Sequence, residues 1–236
     1  MRNIYNDKGF QKFMDEQDPY PFDATQIEVN SRVAVCGSTK TGKTTALFHY
    51  LEMSPNTFSK VIVFYKESEP IYEYMNALTR GRIEFHDNIN ALPTIAKMRD
   101  GLEKNERVLL IVDDWIDHLK DPKVRKSLYD VFLRGRKKNV SVWLLCQSYY
   151  MIPLEFRQNL TYLMLFKMPT KRDTDMILDS FTSDVSKEEL REIYRDCTKK
   201  KFDFLKIEVA NCPLNKKFAR NFDEFIDVTG DEADDA

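Results

Sequence analysis

Glycine is scarce in this chain, at seven of 236 residues. Histidine is scarcer: His49, His86 and His118 stand far apart, which excludes a histidine-rich metal site. The four cysteines form no C-x-x-C pair, and Cys36 and Cys146 fall inside apolar runs. Neither a disulfide framework nor a zinc site is expected, and the thiols read as small buried hydrophobes in a reducing compartment. No apolar run approaches the roughly 20 residues that a membrane span needs. The first eight residues, Met1 to Lys8, contain no apolar signal core, so a soluble, intracellular protein is expected. An excess of charge is missing too: the formal net charge is −2, and the acids Asp231, Glu232, Asp234 and Asp235 account for it, leaving the body slightly positive. Global charge therefore argues neither for nor against a nucleic-acid partner, and a basic surface has to be local.

Against that scarcity, the placement of two glycines carries information. The run Gly37-Ser38-Thr39-Lys40-Thr41-Gly42-Lys43-Thr44-Thr45 fits G-x-x-x-x-G-K-[ST] and directly follows the apolar Val33-Ala34-Val35-Cys36. In such a P-loop, backbone N–H groups cradle a di- or triphosphate, the Lys reaches the terminal phosphates and the hydroxyl holds Mg²⁺. The context is right: a β-branched strand precedes the loop, and Ala46 to Glu52 reads as the helix whose N-terminus faces the anion.

A length of 236 residues suits one α/β domain with small appendages. Residues 1–24 are polar with spaced aromatics (Tyr5, Phe10, Phe13, Tyr20, Phe22) and read as a short helix and an extended arm. Residues 25–228 form the domain, and 229–236 form an acidic tail expected to be disordered. Within the domain, strand and helix alternate, which predicts a mostly parallel sheet covered by helices on both faces. Strands are expected at 32–36, 60–65, 82–85, 107–112, 141–146, 162–166 and 204–209. Helices are expected near 43–52, 70–79, 90–104, 122–134, 152–158, 171–181 and 186–197, the last with Ser186 and Glu189 as a capping box.

Two further strands end in chemistry. Arg107 to Val112 is a buried run that releases Asp113 and Asp114 at its carboxyl end, where α/β sheets bind ligands. Asp113 suits a Mg²⁺ site opposite Thr44, and Asp114 is placed to orient and deprotonate an attacking water. The run Ser141 to Cys146 ends in Gln147, an amide able to touch both a γ-phosphate and a lytic water. Just upstream, Arg134-Gly135-Arg136-Lys137-Lys138 is either a solvated turn or the source of an arginine finger reaching a neighbouring subunit's triphosphate.

Together these residues resemble the FtsK–HerA superfamily of DNA-pumping ATPases, and within it the poxvirus-type genome-packaging ATPases of large DNA viruses and their satellite elements. The likeness is carried by the P-loop, Leu110-Ile111-Val112-Asp113-Asp114 and Gly135 to Ser141 leading into Leu144-Leu145-Cys146-Gln147-Ser148. It continues through Ile152-Pro153, Arg157-Gln158-Asn159, Tyr162 to Lys167 and Asp173 to Asp179, over roughly residues 30–180. The resemblance implies a RecA/ASCE-like P-loop NTPase fold. It also implies that Lys43 and Thr44 bind nucleotide and metal, Asp113 holds Mg²⁺, Asp114 activates water and Gln147 senses the γ-phosphate. Arg136, ahead of Arg134 and Arg157, is then the trans finger. Two departures stand out: DNA-pumping bacterial relatives carry Glu where Asp114 stands, and packaging relatives often have His at Lys137.

The function so implied is ATP-driven translocation of double-stranded DNA into a preformed viral capsid. Its motor is a homo-oligomeric ring that contacts the DNA backbone and capsid or portal-vertex proteins in the host-cell cytoplasm, without a membrane span. Lys199-Lys200-Lys201 and the loop near Lys137 are candidate DNA contacts. Three other readings compete. Thr170-Lys171-Arg172-Asp173 matches the [NT]-K-x-D guanine pattern of a GTPase, although the acidic strand lacks D-x-x-G, with Ile116 three residues after Asp113. A small-molecule kinase and a nucleotide-binding scaffold without turnover are the others.

Overall fold

The computed structural model describes residues 25–79, 82–183, 185–209 and 212–228. The arm at 1–24 and the tail at 229–236 lie outside them.

Nine strands among the described residues form one sheet in the order β3-β2-β4-β5-β1-β6-β7-β8-β9. They are β1 (Arg32–Cys36), β2 (Lys60–Tyr65), β3 (Ile83–His86), β4 (Val108–Asp113), β5 (Val140–Cys146), β6 (Tyr162–Leu165), β7 (Leu205–Glu208), β8 (Phe218–Arg220) and β9 (Glu224–Phe225). β3 through β6 in that spatial order are all parallel. Successive side chains of a strand point to opposite faces, so a central strand without polar alternation must be covered twice. β4 does this: Val108, Leu110 and Val112 enter one core and Leu109 and Ile111 the other, all fully buried.

The first core is closed by α4 (Pro122–Arg134), α5 (Leu154–Arg157), α6 (Lys171–Leu178) and α7 (Lys187–Cys197). The second is closed by α1 (Lys43–Met53) and α2 (Pro70–Leu78), through Ala46, Leu47, Tyr50, Tyr72 and Met75. At α7 the Glu189 N–H donates to the Ser186 hydroxyl at 3.2 Å, the cap expected of Ser186.

Two expectations need correction. The helix expected over 90–104 is only α3 (Ile95–Met98), after a 3-10 turn at Ile89–Ala91. Pro93 lacks an N–H, Thr94 caps the short helix by accepting from Lys97 N, and Gly101 at φ 76° turns the chain away. The Arg99 guanidinium then bonds the carbonyls of Glu103 and Glu106, which replaces helical bonding. The strand at 204–209 is present, but β7 runs antiparallel to β6 and starts an antiparallel extension, β7-β8-β9. A single crossover helix returns the chain to the far edge of a sheet and yields a parallel strand. Here α6 and α7 succeed one another, so the chain comes back to the edge it left and the next strand must descend.

The extension is tied to the start of the domain by Lys206, which is 1% exposed. Its Nζ donates to the carbonyls of Gln26, at 3.2 Å, and Phe222, and burial pushes its pKa down to about 8. No helix among the described residues is long and apolar enough to cross a membrane. Leu144, fully buried on β5 between β1 and β4, tests the packing: Leu144→Ala is expected to lower unfolding stability by about 2–5 kcal/mol, measured by urea denaturation.

Candidate active site

The loop after β1 is fastened at its base on both sides. Gly37 N donates to the Cys146 carbonyl at the end of β5, and Ser38 N to the Lys167 carbonyl just after β6, each at 3.2 Å. Only glycine fits at position 37, since a Cβ there would stand 2.5 Å from the Phe166 Cβ. Lys40 (φ 62°) and Gly42 (φ 111°) are left-handed, curling the chain so that successive N–H groups share one concave side. The Thr41 hydroxyl donates to the Ser38 carbonyl at 2.8 Å, and Lys43 Nζ donates to the carbonyls of Gly37 and Ser38, both at 3.0 Å. With no side chain capping it, the N-terminus of α1 leaves its first N–H groups for an anion.

Opposite the loop, β4 delivers Asp113 half-buried and Asp114 exposed. Asp114 is left-handed (φ 58°) and its N–H donates to the Leu145 carbonyl at 3.1 Å. Gln147, leaving β5 between the two elements, spans them: its Nε2 donates to Asp114 Oδ2 at 3.1 Å, and its Oε1 accepts from the Thr39 hydroxyl at 3.4 Å. The Tyr72 hydroxyl donates to Asp113 Oδ2 at 2.5 Å and also bonds Thr44. Burial pushes the Asp113 carboxyl up to about 6, aided by the carboxylates of Glu69 and Asp114 and opposed by the Tyr72 hydrogen bond and Lys43. Burial also raises the Tyr72 phenol, which stays a protonated donor.

These residues line one crevice of about 670 Å³, with Thr39 to Thr45 (Thr41 apart) on one wall and Asp113, Asp114 and Gln147 on another. No group of three His, Cys, Asp or Glu side chains gathers among the described residues, so there is no all-protein metal cage. One carboxylate and one hydroxyl joined through Tyr72 is instead a sparse oxygen set. Mg²⁺ accepts such a set when phosphate oxygens and water complete its shell.

Arg136 is not in the crevice. It is exposed in the 3-10 turn Gly135–Lys138 before β5, and the seven residues of that strand, about 23 Å at 3.3 Å each, separate it from Gln147. Its charge lowers the pKa of Arg32, whose main cause of lowering is burial. Arg134 pairs with Asp130 at 3.1 Å, and Arg157 lies over the rings of Tyr149 and Tyr150. The Thr170-to-Asp173 run caps α6: the Thr170 hydroxyl accepts from Asp173 N at 3.0 Å and lies 2.8 Å from the Asp173 carboxylate. A guanine reader would need that carboxylate free. Cys36 and Cys146 meet at 3.3 Å, buried, as free thiols.

The sequence pattern missed Tyr72, Lys66, Glu67, Glu69, Pro70 and Ile71, which line or adjoin the crevice from the β2–α2 connection. Their one signal is Pro70 at the first turn of a helix following a strand. Lys201, considered above as a DNA contact, lines the same crevice with Phe202.

The raised Asp113 pKa has a sign. Because the folded value, about 6, lies above the ordinary 3.8, the protonated acid favours folding below pH 4, and that contribution is lost as pH rises through 6. In metal-free protein at pH 7.5, Asp113→Asn is therefore expected to be more stable than the parent by about 1–3 kcal/mol. The gain should vanish near pH 4, as read by urea denaturation at the two pH values.

The fold and site can be set beside known proteins. No curated protein matches the sequence. The DNA-packaging ATPase B204 of Sulfolobus Turreted Icosahedral Virus has a similar fold, at TM-score 0.58 and 13% identity, over 83% of this chain and 98% of that one. B204 of Sulfolobus turreted icosahedral virus 2, in complex with ATP-gammaS, gives 0.55 and 15% over the same shares. The cytoplasmic domain of the Thermomonospora curvata type VII secretion ATPase EccC gives 0.50 and 14%, over 70% of this chain and 23% of that one. At such identities the likeness is one of fold, that of P-loop ATPases. The family model described as the poxvirus A32 protein matches residues 22–210, most of the chain. With a phosphate-type loop, paired acids and a bridging amide on that fold, this chain belongs to the poxvirus A32 protein family.

Proposed function

We propose that the chain is an ATPase that drives double-stranded DNA into a preformed viral capsid. The observation that carries this reading is the Gln147 side chain, bonded at once to Thr39 of the P-loop and to Asp114. An amide so placed couples the occupancy of the phosphate site to the acid that would activate water. The similar structures add support, since B204 of Sulfolobus Turreted Icosahedral Virus is described as a DNA-packaging ATPase and that of Sulfolobus turreted icosahedral virus 2, a genome packaging NTPase, was solved with ATP-gammaS.

In this reading residues 25–228 are the ATPase domain. The N–H groups of Gly37 to Thr45 hold the α- and β-phosphates, and Lys43 exchanges its two carbonyl partners for phosphate oxygens. Thr44 and Asp113 would hold Mg²⁺, which when bound would neutralise charge on the phosphates. Asp114 takes a proton from water as its oxygen bonds to the γ-phosphorus. The bond from that phosphorus to the β–γ bridging oxygen breaks, leaving ADP and phosphate. Phosphate departure frees Gln147, and its two partners carry the change to the P-loop and β4.

Arg136 lies too far from its own crevice to act there, so its role is in trans, on the triphosphate of a neighbour in a homo-oligomeric ring. The ring encloses DNA, contacts its backbone and docks on capsid or portal-vertex proteins in the host-cell cytoplasm. The Thr170 cap weighs against the GTPase reading.

Long double-stranded DNA is expected to raise ATP turnover. Asp114→Asn should lower kcat about 10²–10⁴-fold, and Arg136→Ala about 10³–10⁵-fold, in steady-state phosphate-release assays. Mixing inactive Lys43→Ala with inactive Arg136→Ala subunits should restore part of the turnover, because each supplies what the other lacks. Turnover indifferent to DNA removes the translocase reading, and assembled mixtures that stay inactive remove Arg136 as the finger.

A further inference from the structure

We propose that Phe202 is the platform on which the base of the bound nucleotide stacks. The inference rests on the nucleotide-site reading above and extends it to the other end of the ligand. Along the sheet, the acids leave β4, Gln147 leaves β5, the phosphate loop leaves β1, and the loop 199–203 leads into β7 beyond β6. At about 4.8 Å per strand, β7 stands some 14 Å from β5. With the γ-phosphate held at the β4–β5 side and the α- and β-phosphates over β1, the nucleoside is left on the β6–β7 side. Lys201 and Phe202 line the crevice there.

Phe202 is built unlike a surface residue. Its φ is +75°, a conformation that a bulky side chain adopts only where the surroundings impose it. Just after Phe202 the chain is held by Asn221, whose side chain donates to Asp203 Oδ1 and accepts from Phe204 N, both at 3.3 Å. The ring rests on the P-loop at Gly42, where an added Cβ would stand 2.7 Å from Phe202 Cδ1. The residue is nevertheless 49% exposed, an apolar ring kept open at the mouth of a polar crevice. Lys201 Nζ lies over one face of the ring, 4.7 Å from its centroid, so a stacked base takes the other face or the lysine swings off toward the phosphates. Stacking engages the π-face that all bases share, so Phe202 contributes affinity without choosing between purines.

Calorimetric titration of the full chain with ATP, GTP and inorganic tripolyphosphate tests this. Phe202→Ala is expected to weaken ATP and GTP by the same factor, about five- to a hundredfold, and to leave tripolyphosphate, which has no base, unchanged. Phe202→Trp should restore nucleotide affinity. Phe202→Gly, suited to the left-handed backbone, should lose affinity like the Ala variant while its unfolding temperature holds or rises. Nucleotide affinity within twofold of the parent in Phe202→Ala, or an equal loss for tripolyphosphate, overturns the platform and leaves a loop-packing residue. A parent chain that binds tripolyphosphate but no nucleotide overturns it too, whereas a parent that binds none of the three removes the nucleotide-site reading itself.

Discussion

Two consecutive carbonyls at the end of β5 hold the site together. Leu145 O accepts from Asp114 N, and Cys146 O accepts from Gly37 N. Because β5 lies between β1 and β4, with Cys36 level with Cys146 and Asp113 level with Leu145, the phosphate loop and the acids emerge from one edge at one height. The residue that follows β5 is Gln147, which reaches both sides. Remove that strand from between the others and the loop and the acids would still exist, with nothing spanning them.

The crevice departs from what stability alone favours. Asp113 is an acid raised by burial; Asp114, Lys40 and Phe202 all occupy left-handed backbone without being glycine. Three of these have a local restraint: the Tyr72 hydroxyl for Asp113, the β5 carbonyl for Asp114, and Asn221 behind Phe202. A raised acid and three left-handed side-chain-bearing residues thus share one crevice, while two apolar cores pack on either side of the sheet.

The antiparallel extension serves the crevice as well as the fold. Because α6 and α7 return the chain to the carboxyl edge of the parallel strands, the loop before β7 is delivered beside the P-loop, not at the opposite end. Lys206 then fastens β7 to Gln26 and Phe222, so the loop has a firm base. A single crossover helix in place of the pair would have sent residues 199–203 to the far edge.

What the sequence determined by itself was local. The P-loop spacing, the unbroken apolar runs that end in Asp113-Asp114 and Gln147, and the parallel core were legible because each depends on residues adjacent in the chain or on a short repeat. The helix expected over 90–104 is cut to one turn because Pro93 has no N–H to donate and Gly101 turns left-handed. What only the tertiary structure decided was which distant groups meet: the Tyr72 hydroxyl on Asp113, Phe202 on Gly42, and Arg136 at the edge away from its own crevice. Those meetings follow from strand order and from the direction of β7, and no pattern of neighbouring residues encodes either, since sheet pairing joins segments that are far apart in the chain.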